Sequence, residues 1–145
     1  MLFRSNFQEK LSGYYRNSFV EIVSETTFGA SSYLVTEKTL NSVYGCNFPI
    51  ILSGAGLVAH LRDLGFDVFD DIVDHSYDNT ADELERHASV IQQVHQLDKL
   101  YTLEQCATLR QDLAARLNSN YERVKQILIS ERDSFKHITR KLDDS

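Results

Sequence analysis

Thr36-Glu37-Lys38 combines the residue types a nucleotide site needs. Thr36 is a helix-capping residue, and the free N–H groups of a helix start attract anions. Lys38 adds a full positive charge beside them. Glu37 offers two acceptors that suit the paired hydroxyls of a ribose or a sugar. The three could hold a sugar nucleotide, with diphosphate on Lys38 and the N–H groups and ribose on Glu37. The plainer reading is a helix start in which Glu37 complements the dipole and Lys38 is solvated.

Ser53-Gly54-Ala55-Gly56 is the second candidate. Glycine lets a phosphate approach the backbone. Gly54-x-Gly56-x-x-Ala59 loosely matches the dinucleotide fingerprint, with Asp74 near the spacing of its ribose-binding acid. The alternative is a tight strand-to-helix turn. The third candidate is acidic: Asp67, Asp70, Asp71, Asp74 and Asp78 fall within twelve residues. They could bind a divalent cation or sugar hydroxyls, but EF-hand spacing is missing, and such side chains commonly cap turns or face solvent. Histidines 60, 75, 87, 95 and 137 form no i, i+4 pair and no HExxH motif, so no metal site is expected. Cys46 reads as core. There is no Gly-x-Ser-x-Gly elbow and no P-loop. No catalytic residue and no cofactor is assigned.

The elements that must position these residues follow from the breakers. All six Gly and the lone Pro49 lie at or before Gly65, so the last eighty residues contain neither. Residues 6–17 are weakly helical. Phe19–Val23 is rich in β-branched residues and reads as a strand. Thr36 caps a helix running to about Tyr44, and Gly45 ends it. Phe48–Leu52 is a continuous apolar run that suits a buried strand of a parallel sheet, with Pro49 near its start. The Gly54–Gly56 turn opens a helix through Leu57, Val58, Leu61 and Leu64, stopped by Gly65. Phe66–Phe69 reads as a third strand. The order predicts an α/β fold: a small parallel Rossmann-like sheet of about three strands, followed by a long helical C-terminal region.

That region opens with two capping boxes, Thr80–Glu83 and Thr102–Gln105. Apolar residues then recur at steps of three and four: Leu103, Cys106, Leu109, Leu113, Leu117, Tyr121, Val124 and Leu128, resuming at Phe135, Ile138 and Leu142. Asn118-Ser119-Asn120 is the expected bend. Unbroken, a ~40-residue helix would run ~60 Å. A small sheet could not cover it, so its far end must fold back or meet another chain. The sequence divides into an α/β half-domain, 1–100, and a helical extension, 101–145, that predicts a homo-oligomer or a partner chain.

The 145 residues carry a net charge of −6 with no basic cluster, which argues against nucleic acid. The longest clean apolar run, Phe48–Leu52, is far short of the ~20 residues that cross a bilayer, so no membrane partner is expected. The first residues lack a signal-peptide core. Two cysteines make no disulfide framework, and a reducing cytoplasm is the expected compartment.

The stretch from Phe19 to Tyr77 carries more specific blocks: Phe-Val-Glu-Ile-Val-Ser-Glu-Thr, Tyr-Leu-Val-Thr-Glu-Lys-Thr, Gly-Cys-Asn-Phe-Pro-Ile-Ile-Leu-Ser-Gly, Leu-Arg-Asp-Leu-Gly-Phe and Asp-Ile-Val-Asp-His-Ser-Tyr. These resemble the C-terminal, donor-binding half of GT-B-type glycosyltransferases, the α-1,3-fucosyltransferase-like group above all. They also resemble short phage and bacterial proteins that share the block. The resemblance implies that Glu37 and Lys38 contact a sugar nucleotide, that Glu25 is the acid closing the first strand, and that Ser53 and Gly54 line the cleft. Tyr33 stands one position before that group's tyrosine, and Thr26 stands where the group has Asn. In that family the cleft lies between two domains, and eighteen residues precede the first strand here. The expectation is a sugar-nucleotide-binding domain without its acceptor half. The alternative is a non-enzymatic interaction or assembly protein acting through its C-terminal helices. A third possibility is a hydrolase or sensor using Asp70–Asp78 with a metal.

Overall fold

The computed structural model describes residues 13–14, 18–26 and 35–143, of which 131–143 are described by their backbone alone. The chain is a mixed α/β protein with a small parallel sheet. β1 (Val20–Ser24) pairs with β2 (Phe48–Leu52) in register, Val20 opposite Phe48 and Ser24 opposite Leu52. α1 (Glu37–Tyr44) connects them, and α2 (Leu57–Asp63) follows β2. A short 3-10 helix (His75–Asn79) leads to α3 (Glu83–Leu100), α4 (Leu103–Asp112) and the 30-residue α5 (Ala114–Asp143).

Both faces of β2 are covered. Pro49 and Ile51 face an interior lined by Leu40, Val43, Val58 and Leu61, from α1 and α2. Phe48, on the opposite face, lines one hollow together with Val94, Leu97 and Leu109 from α3 and α4. This explains why the strand reads as an unbroken apolar run rather than an alternating one. The Phe48 N–H donates to the Phe19 carbonyl at 2.8 Å and the Leu52 carbonyl accepts from Glu25 N–H at 2.9 Å. Phe48, Ile50 and Leu52 therefore turn their bonding groups to β1, and Pro49 and Ile51 turn theirs to the other edge. Pro49 has no donor to leave unmet there, and the Ile51 backbone is hydrogen-bonded to the Tyr77 hydroxyl.

The expected third strand, Phe66–Phe69, does not form; among the described residues the sheet has two strands. The segment is buried as expected of core, but side chains meet the backbone groups in its middle, while at its ends Phe66 N–H donates to the Leu61 carbonyl and the Phe69 carbonyl accepts from Ile72 and Val73 N–H. Asp67 N–H donates to Asn120 Oδ1 at 2.8 Å, and Asn120 Nδ2 donates to the Asp67 carbonyl at 2.7 Å. The Val68 carbonyl accepts from His75 Nε2 at 2.7 Å. Phe69 then turns into the left-handed region at φ 62°, where a strand cannot continue. The Asp67 carboxylate takes the Phe69 N–H at 2.9 Å, and the Phe69 ring packs on Phe48 at 4.7 Å.

Two boundaries differ from expectation. α3 is capped by Asp82, which accepts from Glu85 N–H, and not by Thr80, which closes the 3-10 helix. The second box is as expected: Thr102 and Gln105 satisfy each other's backbone N–H. The long helix breaks at Leu113 and not at Asn118–Asn120. Leu113 and Leu117 both lie in the core across that break, while Asn120 is buried because its amide is committed to Asp67. α1 ends at Gly45 as expected, with Gly45 right-handed and Cys46 in the left-handed position, φ 52°. One buried cluster runs from Val23 through Val90 to Val124, so the first half of α5 belongs to the same core as the sheet.

Candidate functional site

The sequence candidates gather at the carboxyl ends of the two strands, where ligands of open α/β sheets bind. Glu25 follows β1 and Ser53 follows β2, one residue beyond the paired Ser24 and Leu52. α1 begins directly above Glu25. The Glu25 carboxylate is fully buried and accepts from Thr36 N–H at 3.1 Å, from the Thr36 hydroxyl, and from the Thr39 hydroxyl at 2.6 Å. Burial pushes its pKa up, but the hydrogen bonds from Thr36 and Thr39 outweigh that and hold it below the ordinary glutamate value. Glu25 is thus a resident anion on the α1 N-terminus, in the place where the sequence suggested a diphosphate.

Lys38 turns back toward β1: its Nζ donates to the Ser24 carbonyl at 3.1 Å and to Thr26 Oγ1 at 3.3 Å. Thr36 Oγ1 accepts from Lys38 N–H at 3.3 Å, the expected cap. Glu37 and Lys38 are both exposed. Tyr33 lies outside the described residues.

The glycine turn closes in the same way. Gly56 is left-handed, φ 90°, which only glycine adopts without strain. The α2 N–H groups of Val58 and Ala59 donate to the two carboxylate oxygens of Asp78, at 3.1 and 2.9 Å, and Gly56 N–H donates to the Asp78 carbonyl. Ser53 and Gly54 are buried. The Ser53 carbonyl accepts from Arg86 Nε at 2.7 Å. Arg86 is itself buried, and its guanidinium also donates to the Thr80 carbonyl at 2.5 Å. The structure therefore brings Glu25, Thr36 and Lys38 together, keeps Glu37 beside them in solvent, and places Ser53 and Gly54 behind Arg86.

The acidic stretch is committed to structure throughout. Arg116 forks between Asp67 and Asp71, with its Nε 2.5 Å from Asp67 and an Nη 2.7 Å from Asp71, and lies 4.7 Å from the Phe69 ring centre. Arg62 holds Asp70 at 2.5 Å. These hydrogen bonds lower the pKa of Asp67, Asp70 and Asp71. Asp74 caps the 3-10 helix through Ser76 N–H. Asp70, Asp74, His75 and Asp78 border a polar hollow of about 270 Å³. Among the described residues no group of His, Cys, Asp and Glu could hold a metal ion. Because His75 Nε2 donates to Val68, its Nδ1 is the acceptor for the Tyr77 hydroxyl at 3.0 Å. Burial lowers the His75 pKa and raises that of Tyr77.

The sequence reading missed Arg86, Asn120 and Arg116 as organising residues. A charge on a helix face otherwise holding Val90 and Leu97 was the available sign of Arg86.

A larger hollow, about 500 Å³, lies away from these residues, between the sheet and the α3–α4 elbow. Phe19, Val94, Leu97, Cys106 and Leu109 line it, and Leu103 stands on its lip at 90% exposure. Among the described residues no helix is long and apolar enough to cross a membrane. Comparison of the chain with protein-family models, curated proteins and solved structures gave no match.

Proposed function

We propose that the chain is a non-enzymatic interaction module whose working surfaces are its C-terminal helices. One observation carries this reading: both helix starts suited to a phosphate are filled by the chain's own carboxylates, Glu25 on α1 and Asp78 on α2. An incoming phosphate would have to displace a bonded carboxylate and meet its negative charge at close range. Exposed apolar side chains concentrate instead on the later helices: Leu84, Ile91, Leu100, Leu103, Leu128 and Ile129. Thermal melting of the full chain with millimolar nucleoside diphosphates tests the reading. No shift is expected. A rise in Tm that is lost in Lys38→Ala would overturn it.

A second reading keeps the sugar nucleotide. It is favoured by the exposure of Glu37 and Lys38 at the carboxyl end of β1. Lys38 would leave Ser24 and Thr26 to meet a diphosphate, Glu37 would take the ribose, and the two strands would be the remnant of a Rossmann-like sheet. A partner chain would supply the acceptor side. The same melt decides between the two.

A further inference from the structure

α5 runs on well past its packed half. Its first half is seated: Leu117 and Val124 are buried, Tyr121 meets Tyr44 edge-on with ring centres 5.5 Å apart, and Ile127 packs against the core. At Leu128 and Ile129 the exposure is already 40% and 50%. The helical backbone nevertheless continues to Asp143, sixteen residues past Ile127, or roughly 24 Å at 1.5 Å per residue.

In sequence, the seated stripe does not stop at the edge of the body. Leu117, Tyr121, Val124, Leu128, Glu131, Phe135, Ile138 and Leu142 follow alternating steps of four and three. That is the 3.5-residue repeat of a helix paired with another helix. Glu131 is the one charged member. In a parallel pair of identical helices it would face itself across the seam, two carboxylates at a buried position. In an antiparallel pair whose register sets position 131 level with position 142 of the second copy, Glu131 has Lys141 of that copy as its neighbour. The charge of the arm agrees: residues 128–135 hold Glu131, Arg132 and Asp133, while residues 136–143 hold Lys136, Arg140, Lys141 and Asp143. Antiparallel packing sets the net-negative half against the net-positive half.

We propose that the α5 arm, residues 128–143, pairs antiparallel with the arm of a second copy of this chain. The proposal rests on the interaction-module reading and gives it an occupant. Sedimentation equilibrium of the full chain tests it, with far-UV circular dichroism confirming that each variant keeps its helix. The wild type should be a dimer at micromolar concentration. Glu131→Lys and Lys141→Glu should each loosen the dimer about tenfold, because each places like charges together twice per dimer. The double variant should restore wild-type affinity. A monomer at every concentration overturns self-pairing while leaving the interaction-module reading to its nucleotide test. A dimer that neither single reversal loosens overturns the antiparallel arrangement, since a parallel seam keeps like charges opposed in every case.

Discussion

Asn120 is the residue whose removal tests the packing account best. It is 5% exposed on α5, and both ends of its amide serve the backbone of Asp67, at 2.8 and 2.7 Å. In Asn120→Ala the Asp67 N–H and carbonyl lose their partners together. An unmet buried polar group costs about 1–3 kcal/mol. Asp67 is only half-buried, so water entering the space left by the amide recovers part of each loss. The expected destabilisation is about 2–3 kcal/mol, the lower part of the doubled range. At roughly 2–4 °C per kcal/mol for a chain near this size, Tm should fall by roughly 4–12 °C. Asn118, exposed two residues earlier on the same helix, is the control, and Asn118→Ala should stay within about 0.5 kcal/mol. Urea unfolding followed by far-UV circular dichroism reads both. If Asn120→Ala also stays within about 0.5 kcal/mol, the side-chain clamp does not hold the Phe66–Phe69 segment, and the explanation for the missing third strand fails.

Other consequences are open to the same unfolding assay. Glu25→Ala removes the acceptor for three donors at the α1 start and should cost about 2–4 kcal/mol; a neutral result would mean that water caps the helix as well as the carboxylate does. Arg86→Lys keeps the charge but loses the planar fork that reaches the Ser53 and Thr80 carbonyls, and should cost about 2 kcal/mol or more; full stability in the lysine variant would refute the need for that fork. The pH dependence has a definite sign. Burial depresses the His75 pKa in the fold, so the native state binds fewer protons, and the stabilisation is present above about pH 6.5 and lost as pH falls below it. The depressed carboxylates, held by Arg116 on Asp67 and Asp71, by Arg62 on Asp70, and by Thr36 and Thr39 on Glu25, give a second loss below about pH 4. Urea midpoints that rise on acidification from pH 7.5 to 5 would contradict the His75 assignment.

Local chemistry was the most legible part of the sequence. The cap at Thr36, the turn at Gly56, the Thr102–Gln105 box and the bounds of β2 are each set by residues within a few positions, and each stands as read. What escaped was set by residues far apart in the chain. Phe66–Phe69 has the composition of a strand, but the groups that bond the backbone of Asp67 and Val68 come from Asn120, more than fifty positions away, and from His75. The same amide explains why the polar triplet at Asn118–Asn120 does not bend the helix. At the candidate site, residue types were read correctly as helix-start chemistry, and Thr36 does cap α1. The spacing could not say that Glu25 reaches across eleven residues, and Asp78 across nineteen or twenty, to take the anion positions from within.

Both helix starts are closed by the chain's own carboxylates, Glu25 and Asp78. Backbone amide NMR shifts of the full protein, followed during titration with a nucleoside diphosphate to millimolar concentration, test this closure most directly. The amides of Thr36, Val58 and Ala59 should stay where they are. Saturable movement of the Thr36 amide, or of the Val58 and Ala59 pair, would show that phosphate displaces Glu25 or Asp78 and would contradict it.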